Sequence, residues 1–237
     1  MFEIEAPVSK IIRRGENVKS FRFTTDKKID FLPGQYLLLT INIGGLAETK
    51  PLSISNSPTE FGYIEFTKRI TESAFSKKLD SMKEGDKVFI KGPFGRFTFS
   101  GEHKKIALLS GGIGITPFRS ICKFACDGKI DSDIFLIYGN NSLKDILFRA
   151  DLDEMAKNNP HFHVIYTLTA EDLQPSGCLR TGYIDKDMIS KEMSDYRERI
   201  FYVCGPPPMV KKLTDMLRNC LNVSDASIKV EQFMGYV

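Results

Sequence analysis

The sequence predicts two domains, an antiparallel β-barrel or sandwich followed by an α/β domain built on a parallel sheet. Three observations predict it. Over the first hundred residues, short runs rich in β-branched and aromatic side chains are separated by Gly and Pro turn signals. After Gly101-Glu102, near-continuous apolar strands alternate with amphipathic stretches, the pattern of βαβ units whose sheet is covered on both faces. The 237 residues are 42% apolar and 27% charged, enough for two packed cores and too apolar for a disordered chain. The division falls near residues 100 to 103, giving domains 1–101 and 102–237.

In the first domain the strand-like runs are VKSFRFTT (18–25), QYLLLTINI (35–43), YIEFTKRI (63–70) and KVFIKG (87–92), punctuated by Pro33-Gly34, Gly44-Gly45 and Gly85-Asp86. KPLSISNSP (50–58) reads as one more short strand. SAFSKKLDSM (73–82) has Phe75, Leu79 and Met82 on one helical face and Ser73 as N-cap. The second domain reads as KIALLS (105–110), helix 117–126, DIFLIYG (133–139), helix 145–157, HFHVIYTLT (161–169), a short helix 185–192, RIFYVCG (199–205), helix 207–221 and SIKVEQF (227–233).

Charge and cysteine content narrow the function classes. Thirty-three Lys and Arg against 30 Asp and Glu leave a formal +3, and the charges are interspersed, so neither nucleic acid nor an anionic membrane is an expected partner. No apolar run approaches the ~20 residues that span a bilayer. The N-terminal MFEIEAPVSKIIRR alternates charged and apolar residues where a signal peptide would be unbroken. A cytoplasmic protein is expected. The five cysteines, Cys122, Cys126, Cys178, Cys204 and Cys220, are an odd number and read as reduced thiols. Cys122 and Cys126 fall four apart, but no CxxC or third nearby ligand completes a zinc or iron–sulfur set. No metal site is expected.

In an open α/β sheet ligands bind beyond the carboxyl ends of the strands, which directs attention to three strand ends. SGGIGITPF (110–118) joins a strand to a helix, and Gly111, Gly112 and Gly114 let backbone amides approach a phosphate at the helix N-terminus. Pro117 stands where the usual dinucleotide fingerprint has its third glycine. CGPPPM (204–209) places Cys204 at a strand terminus, with prolines fixing entry into the next helix. EQFMGYV (231–237) ends the chain with Glu231 and Phe233 on one side of a terminal strand.

Taken in order along the chain, KPLSISN, the SAFS helix start, GPFG (92–95), GGIGITP, CGPPPM and E-x-F resemble the motifs of the ferredoxin–NADP reductase family, in its compact form without an iron–sulfur domain. The resemblance implies an N-terminal six-stranded antiparallel Greek-key β-barrel that binds FAD and a C-terminal NAD(P)-binding α/β domain. It implies hydride transfer from NADH or NADPH to FAD and passage of electrons to an acceptor. Carried over by position, Ser53 would hydrogen-bond flavin N5, and Cys204 and Glu231 would lie by nicotinamide C4 and the hydride path. Lys50 replaces the arginine that holds the FAD pyrophosphate, keeping the charge but losing the bidentate fork. Leu52, after Pro51, replaces the tyrosine that stacks on the isoalloxazine. Phe66, Thr67 and Lys68 would run beside the flavin, and Ser73, Ala74, Phe75 and Ser76 would cap the pyrophosphate. Gly112, Gly114, Thr116 and Pro117 would form the dinucleotide turn, with Thr169, Gly205, Pro206 and Met209 completing the nucleotide site. Phe233 would cover the flavin and yield to nicotinamide.

Relatives specific for NADP follow the strand-end Ser or Thr with arginine, whereas Thr169 is followed by Ala170, Glu171 and Asp172. Two carboxylates disfavour a 2′-phosphate, so NADH is the expected donor, with Lys144 and Arg180 the cations that could still reach such a phosphate. The acceptor class implied is ferredoxin, an oxygenase component, a free flavin or a subunit of a larger complex. An electron-transfer subunit of the dihydroorotate dehydrogenase type usually carries four clustered cysteines near its C-terminus, where this chain has only Cys204 and Cys220. A non-catalytic flavin- or nucleotide-binding module is the reading from another class, since Lys50 and Leu52 both weaken the flavin motif. Ser53, Cys204 and Glu231 argue against it.

Overall fold

Residues 1–25, 28–170, 174 and 176–233 are described in a computed structural model. The first unit comprises Met1–Ser100 together with Thr116–Phe124. Its elements are β1 (Phe2–Gly15), β2 (Val18–Thr24), β3 (Tyr36–Ile43), β4 (Leu46–Ser53), β5 (Tyr63–Arg69), α1 (Ala74–Ser81) and β6 (Lys87–Phe94). All pairings are antiparallel, in the order β4-β3-β6-β1-β2-β5. The segment that carried no expected element, β1, is the longest strand of this sheet. It serves two neighbours, pairing over Phe2–Pro7 with β6 and from Val8 onward with β2, with a register shift between Val8 and Lys10. Such an irregularity bends the strand and lets the sheet curl.

The curl closes where β4 runs out. Ile54 bridges Phe66 of β5, and the Ser55 amide donates to the Glu65 carbonyl at 2.8 Å. The sheet is thereby a six-stranded antiparallel barrel without free edges along this seam. Its interior is one apolar cluster including Phe21, Phe23, Leu37, Leu39, Leu52, Ile54, Ile64, Phe66, Phe75 and Leu79. The Phe66 ring lies 5.2 Å from that of Phe21 and 5.7 Å from that of Phe23. Helix α1 plugs one end of the barrel with Phe75 and Leu79, and Ser73 caps it as the sequence predicts.

The seam is clasped from outside by residues of a later helix, α2 (Ile115–Asp127), whose 116–124 stretch belongs to this unit. Arg119 donates to the Ser55 carbonyl at 3.2 Å and forms a two-pronged ion pair with Glu60. Ser120 donates to the Asn56 carbonyl at 2.7 Å. Burial alone would raise the Glu60 carboxyl, but hydrogen bonding and the charge of Arg119 outweigh it and hold the carboxyl below its ordinary range.

The second unit comprises Gly101–Ile115 and the chain from Ala125 onward. It contains β7 (Lys105–Gly111), β8 (Asp133–Asn140), α3 (Arg149–Asn158), β9 (Phe162–Leu168), β10 (Leu179–Thr181), α4 (Lys186–Glu192), β11 (Ile200–Gly205), α5 (Pro207–Asn219) and β12 (Ile228–Gln232). The six strands are parallel, in the order β10-β9-β8-β7-β11-β12. One face buries Leu109, Ile137, Ile165, Phe201 and Val203 against α4 and α5. The other carries Leu108, Leu136, Tyr138, Tyr166, Tyr202 and Cys204, all buried.

The helix expected over 145–157 begins later, at Arg149. Ser142 and Asp145 close a capping box around a 3-10 turn, and Phe148 takes a left-handed conformation with φ 56°. The reason is packing: Ile146, Leu147 and Phe148 are all buried, and three consecutive apolar residues cannot share one face of a helix.

Removing one partner of a buried ion pair leaves the other charge uncompensated. Arg119→Met is expected to lower stability by about 3–5 kcal/mol near neutral pH. Because the Glu60 carboxyl is depressed in the folded protein, its contribution is present above the ordinary carboxylate pKa and lost as pH falls through the folded value. Denaturation of wild type and variant from neutral to acid pH should therefore show the difference narrowing; a constant difference would remove the ion pair as its cause.

Candidate functional site

In the first unit the expected flavin residues gather along the seam and the adjoining mouth of the barrel. Ser53 ends β4, opposite Tyr36, and is 8% exposed. Side chains alternate along a strand, so Leu52 points the other way, into the barrel core opposite Leu37. Phe66 is also a core residue. The Thr67 hydroxyl is committed to Ser20 at 2.7 Å and Ser55 at 2.9 Å, which leaves the backbone of Thr67 as its means of meeting a ligand. Pro51 is exposed, as is Lys50.

Lys50 and Lys68 carry information that spacing alone does not. The Lys68 ammonium is pushed down from its ordinary value, first by burial and then by the charge of Lys50. A half-buried cation whose charged form is disfavoured by burial and by a neighbouring lysine is a place where an anion is stabilising. Nearby along the chain, α1 begins at Ser73, whose side chain accepts from the Ser76 amide at 3.2 Å. Ala74 is exposed, Phe75 is in the core, and the Ser76 hydroxyl lies 3.0 Å from that of Thr71. A doubly cationic corner fits a pyrophosphate.

In the second unit the nucleotide candidates lie at the carboxyl ends of β7, β11 and β12. Cross-strand register sets Glu231 of β12, Cys204 of β11, Ser110 of β7 and Tyr138 of β8 in one row, and paired positions of parallel strands share a face. Cys204 is fully buried. Burial pushes its thiol well above the ordinary cysteine value, and the charge of Glu231 adds to the shift. The residue is therefore a neutral thiol at physiological pH. The Tyr138 hydroxyl donates to the Gly112 carbonyl at 2.8 Å, fixing the turn Gly112–Gly114 that follows β7.

This turn has no room for a side chain. A Cβ on Gly114 would stand 2.7 Å from Gly205 Cα and closer still to the Cys204 carbonyl oxygen. Met209, at the start of α5 after Pro206 and Pro207, lies against both Gly111 and Gly205. Close backbone approach of two strand ends is thus what the glycines provide. Among the described residues, the buried side-chain polar atoms without a hydrogen-bond partner are Ser110 Oγ and both amide atoms of Asn140. All three sit at the carboxyl ends of β7 and β8. Buried polar atoms are usually satisfied, so orphaned ones at the ligand edge of a parallel sheet fit a site completed by a polar ligand.

The remaining candidates are placed as follows. Thr116 and Pro117 are buried in α2. Thr169 follows β9 and its amide donates to the Asn140 carbonyl at 3.0 Å. Phe233, half-buried, donates its amide to the Gly205 carbonyl at 3.2 Å. Glu171, Asp172 and Tyr236 lie outside the described residues. Ser110 opens the SGGIGITPF motif, whereas Arg119, Glu60 and Asn140 lie in no motif, and no sequence signal distinguishes them from ordinary helix, loop and strand positions.

Comparison with known proteins finds two matched family models. Residues 5–99 match the oxidoreductase FAD-binding domain and residues 108–215 the oxidoreductase NAD-binding domain. The NADH-cytochrome b5 reductase 1 of Dictyostelium discoideum is 33% identical over 209 residues, covering 85% of this chain and 72% of its own. The chain belongs to the ferredoxin–NADP reductase family. It is an FAD- and NAD-binding oxidoreductase that takes hydride from a nicotinamide nucleotide and passes electrons onward. The glycine betaine monooxygenase reductase subunit of Chromohalobacter salexigens is 28% identical over 233 residues, and this reductase spans 95% of its own length but 62% of that subunit. The fold is shared with the FAD/NAD-binding domain of nitric oxide dioxygenase from Vibrio cholerae, at a TM-score of 0.86, 20% identity and coverage of 97% and 98% of the two chains. Among the described residues no helix is long and apolar enough to cross a membrane.

Two outcomes are expected of this geometry. A phosphate beside Lys68 favours its charged form, so the affinity of the apoprotein for FAD is highest below the depressed Lys68 pKa and falls as pH rises through it. Lys68→Met should bind FAD about tenfold more weakly and lose that pH dependence in fluorescence titrations; retention of it would assign the effect elsewhere. Gly114→Ala should cost about 1–3 kcal/mol or more, because the obstacle is backbone and cannot rotate away. Thermal melts of wild type and variant measure it.

Proposed function

We propose that the reductase uses NADH in preference to NADPH and delivers electrons to a separate protein acceptor, an oxygenase component or a small electron carrier such as a ferredoxin or cytochrome. FAD, when bound, supplies the hydride-accepting centre and divides the electron pair for onward transfer. The observation that supports hydride transfer in this reading is the register of Cys204 with Glu231 at the carboxyl edge of the sheet.

In this reading Gly112 and Gly114 present backbone amides to the nucleotide pyrophosphate at the start of α2. The neutral Cys204 thiol packs beside the nicotinamide without adding charge to its path, and Glu231 orients the ring. Neither acts as a nucleophile. On the flavin side Ser53 would donate a hydrogen bond to the hydride-accepting nitrogen, while Lys50, Lys68 and the Ser73-capped end of α1 would hold the pyrophosphate. Leu52, turned into the barrel core, would back the strand that carries Ser53. The protein's contribution is alignment and exclusion of water.

The preference for NADH is supported by what surrounds Arg180, which is tied to Glu192 by 2.6 and 2.9 Å hydrogen bonds and so is not free to meet a 2′-phosphate. The oxygenase-component and cytochrome acceptors are the kinds served by the relatives named above. A reducing compartment, the cytoplasm, fits five thiols that are all unbridged.

The test is stopped-flow reduction of the FAD-loaded protein. NADH should bleach the flavin with a higher kcat/KM than NADPH. Ser53→Ala should slow reduction by on the order of tenfold or more while leaving NAD+ affinity nearly intact. An unchanged rate would take Ser53 out of the reaction, and a preference for NADPH would reverse the nucleotide assignment.

A further inference from the structure

Arg180 is the next-to-last residue of the edge strand β10, in register with Thr167 of β9. Ligands of such sheets lie along the carboxyl ends of the strands, and strands are about 4.8 Å apart. A dinucleotide whose pyrophosphate meets the glycine turn after β7 therefore carries its adenosine ribose over β8 and β9 toward β10. Arg180 is a guanidinium placed where an adenosine 2′-phosphate would need one.

That guanidinium is already spent. Nε donates to Glu192 Oε1 at 2.6 Å and Nη2 to Glu192 Oε2 at 2.9 Å. Nη1 donates to the carbonyls of Gly177 at 2.7 Å and Leu179 at 2.8 Å. Of the five N–H groups of an arginine, four are thus directed within the protein, and the fork that would grip a phosphate from two sides is filled by a carboxylate. Glu192 ends α4, and the two side chains are 12% and 21% exposed. The Arg180 pKa is raised, first by its hydrogen bond to Glu192.

We infer that Glu192 is a specificity-determining residue, selecting against NADPH by occupying the Arg180 fork. A 2′-phosphate entering this corner must break two charge-assisted hydrogen bonds and leave the Glu192 carboxylate largely covered, without its partner and beside a dianion. NADH asks nothing of Arg180. The inference rests on the NADH reading and adds its physical origin: a suitable arginine is present at the right strand end and is withheld. An ion pair that merely tacks β10 to α4 would look the same in the structure but would not change nucleotide choice when neutralised.

The experiment compares FAD-loaded wild type, Glu192→Gln, Glu192→Ala and the double variant Glu192→Gln/Arg180→Met. Binding of 2′,5′-ADP and 5′-ADP is measured by calorimetry, and turnover with NADH and NADPH alongside. Glu192→Gln keeps the size of the side chain and an acceptor for Arg180, so this neutral variant is expected to fold, and thermal melts check all three. Both single variants should bind 2′,5′-ADP at least about tenfold more tightly than wild type, with 5′-ADP affinity and NADH turnover unchanged. The double variant should lose the gain. No gain in either single variant, or a gain that persists without Arg180, overturns the inference. A wild type that prefers NADPH would instead remove the NADH reading itself, and that outcome is seen in the wild-type assay alone.

Discussion

The barrel depends on closing a curled sheet at a strand that has run out. Beyond Ser53 the chain no longer has a full ladder partner; it has the Ile54–Phe66 bridge, a few hydrogen bonds from Ser55 and Asn56, and the clasp of Arg119 and Ser120. A seam of this kind exposes backbone groups unless something outside satisfies them. The helix that supplies the clasp has its guanidinium almost wholly buried, which is tolerable because Glu60 and a backbone carbonyl answer its charge and its donors. The flavin-motif serine stands at the end of that seam, so its placement inherits the rigidity of the closure.

The second unit solves a different problem, that of bringing backbone close to backbone. The ends of β7 and β11 approach so nearly that Gly114 faces the Cys204 carbonyl with no space for a methyl group. Met209, flexible and polarizable, fills what remains against two glycines. The Cys204 thiol at the same strand end is small and is kept neutral by burial.

Charge is handled oppositely in the two units. Lys50 and Lys68 are set against each other, an arrangement that an anionic ligand relieves. Arg180 is given a carboxylate and two carbonyls, an arrangement that an anionic ligand must undo. In the proposed reading a cation is thus offered to one phosphate by Lys50 and Lys68 and withheld from another by the pairing of Arg180 with Glu192.

Much of this was legible in the sequence. Period-two and period-3.6 patterning located the α1 cap and the antiparallel and parallel strands, because local burial decides those patterns. The glycine turn and Cys204 were visible as strand-end motifs because only a few residue types fit such positions. The alternation of charged and apolar residues in the 14-residue strand β1 becomes a strand only through its pairing with β6 and β2; the apolar triplet before Arg149 is buried by a bend, which a continuous apolar run permits as readily as a helix. What tertiary structure alone decided were the pairings between distant residues: Arg119 with Glu60 and Ser55, Lys68 with Lys50, Arg180 with Glu192. Sequence composes each side chain's chemistry, but whether a charge is available or spent depends on which partner the fold brings within hydrogen-bonding distance.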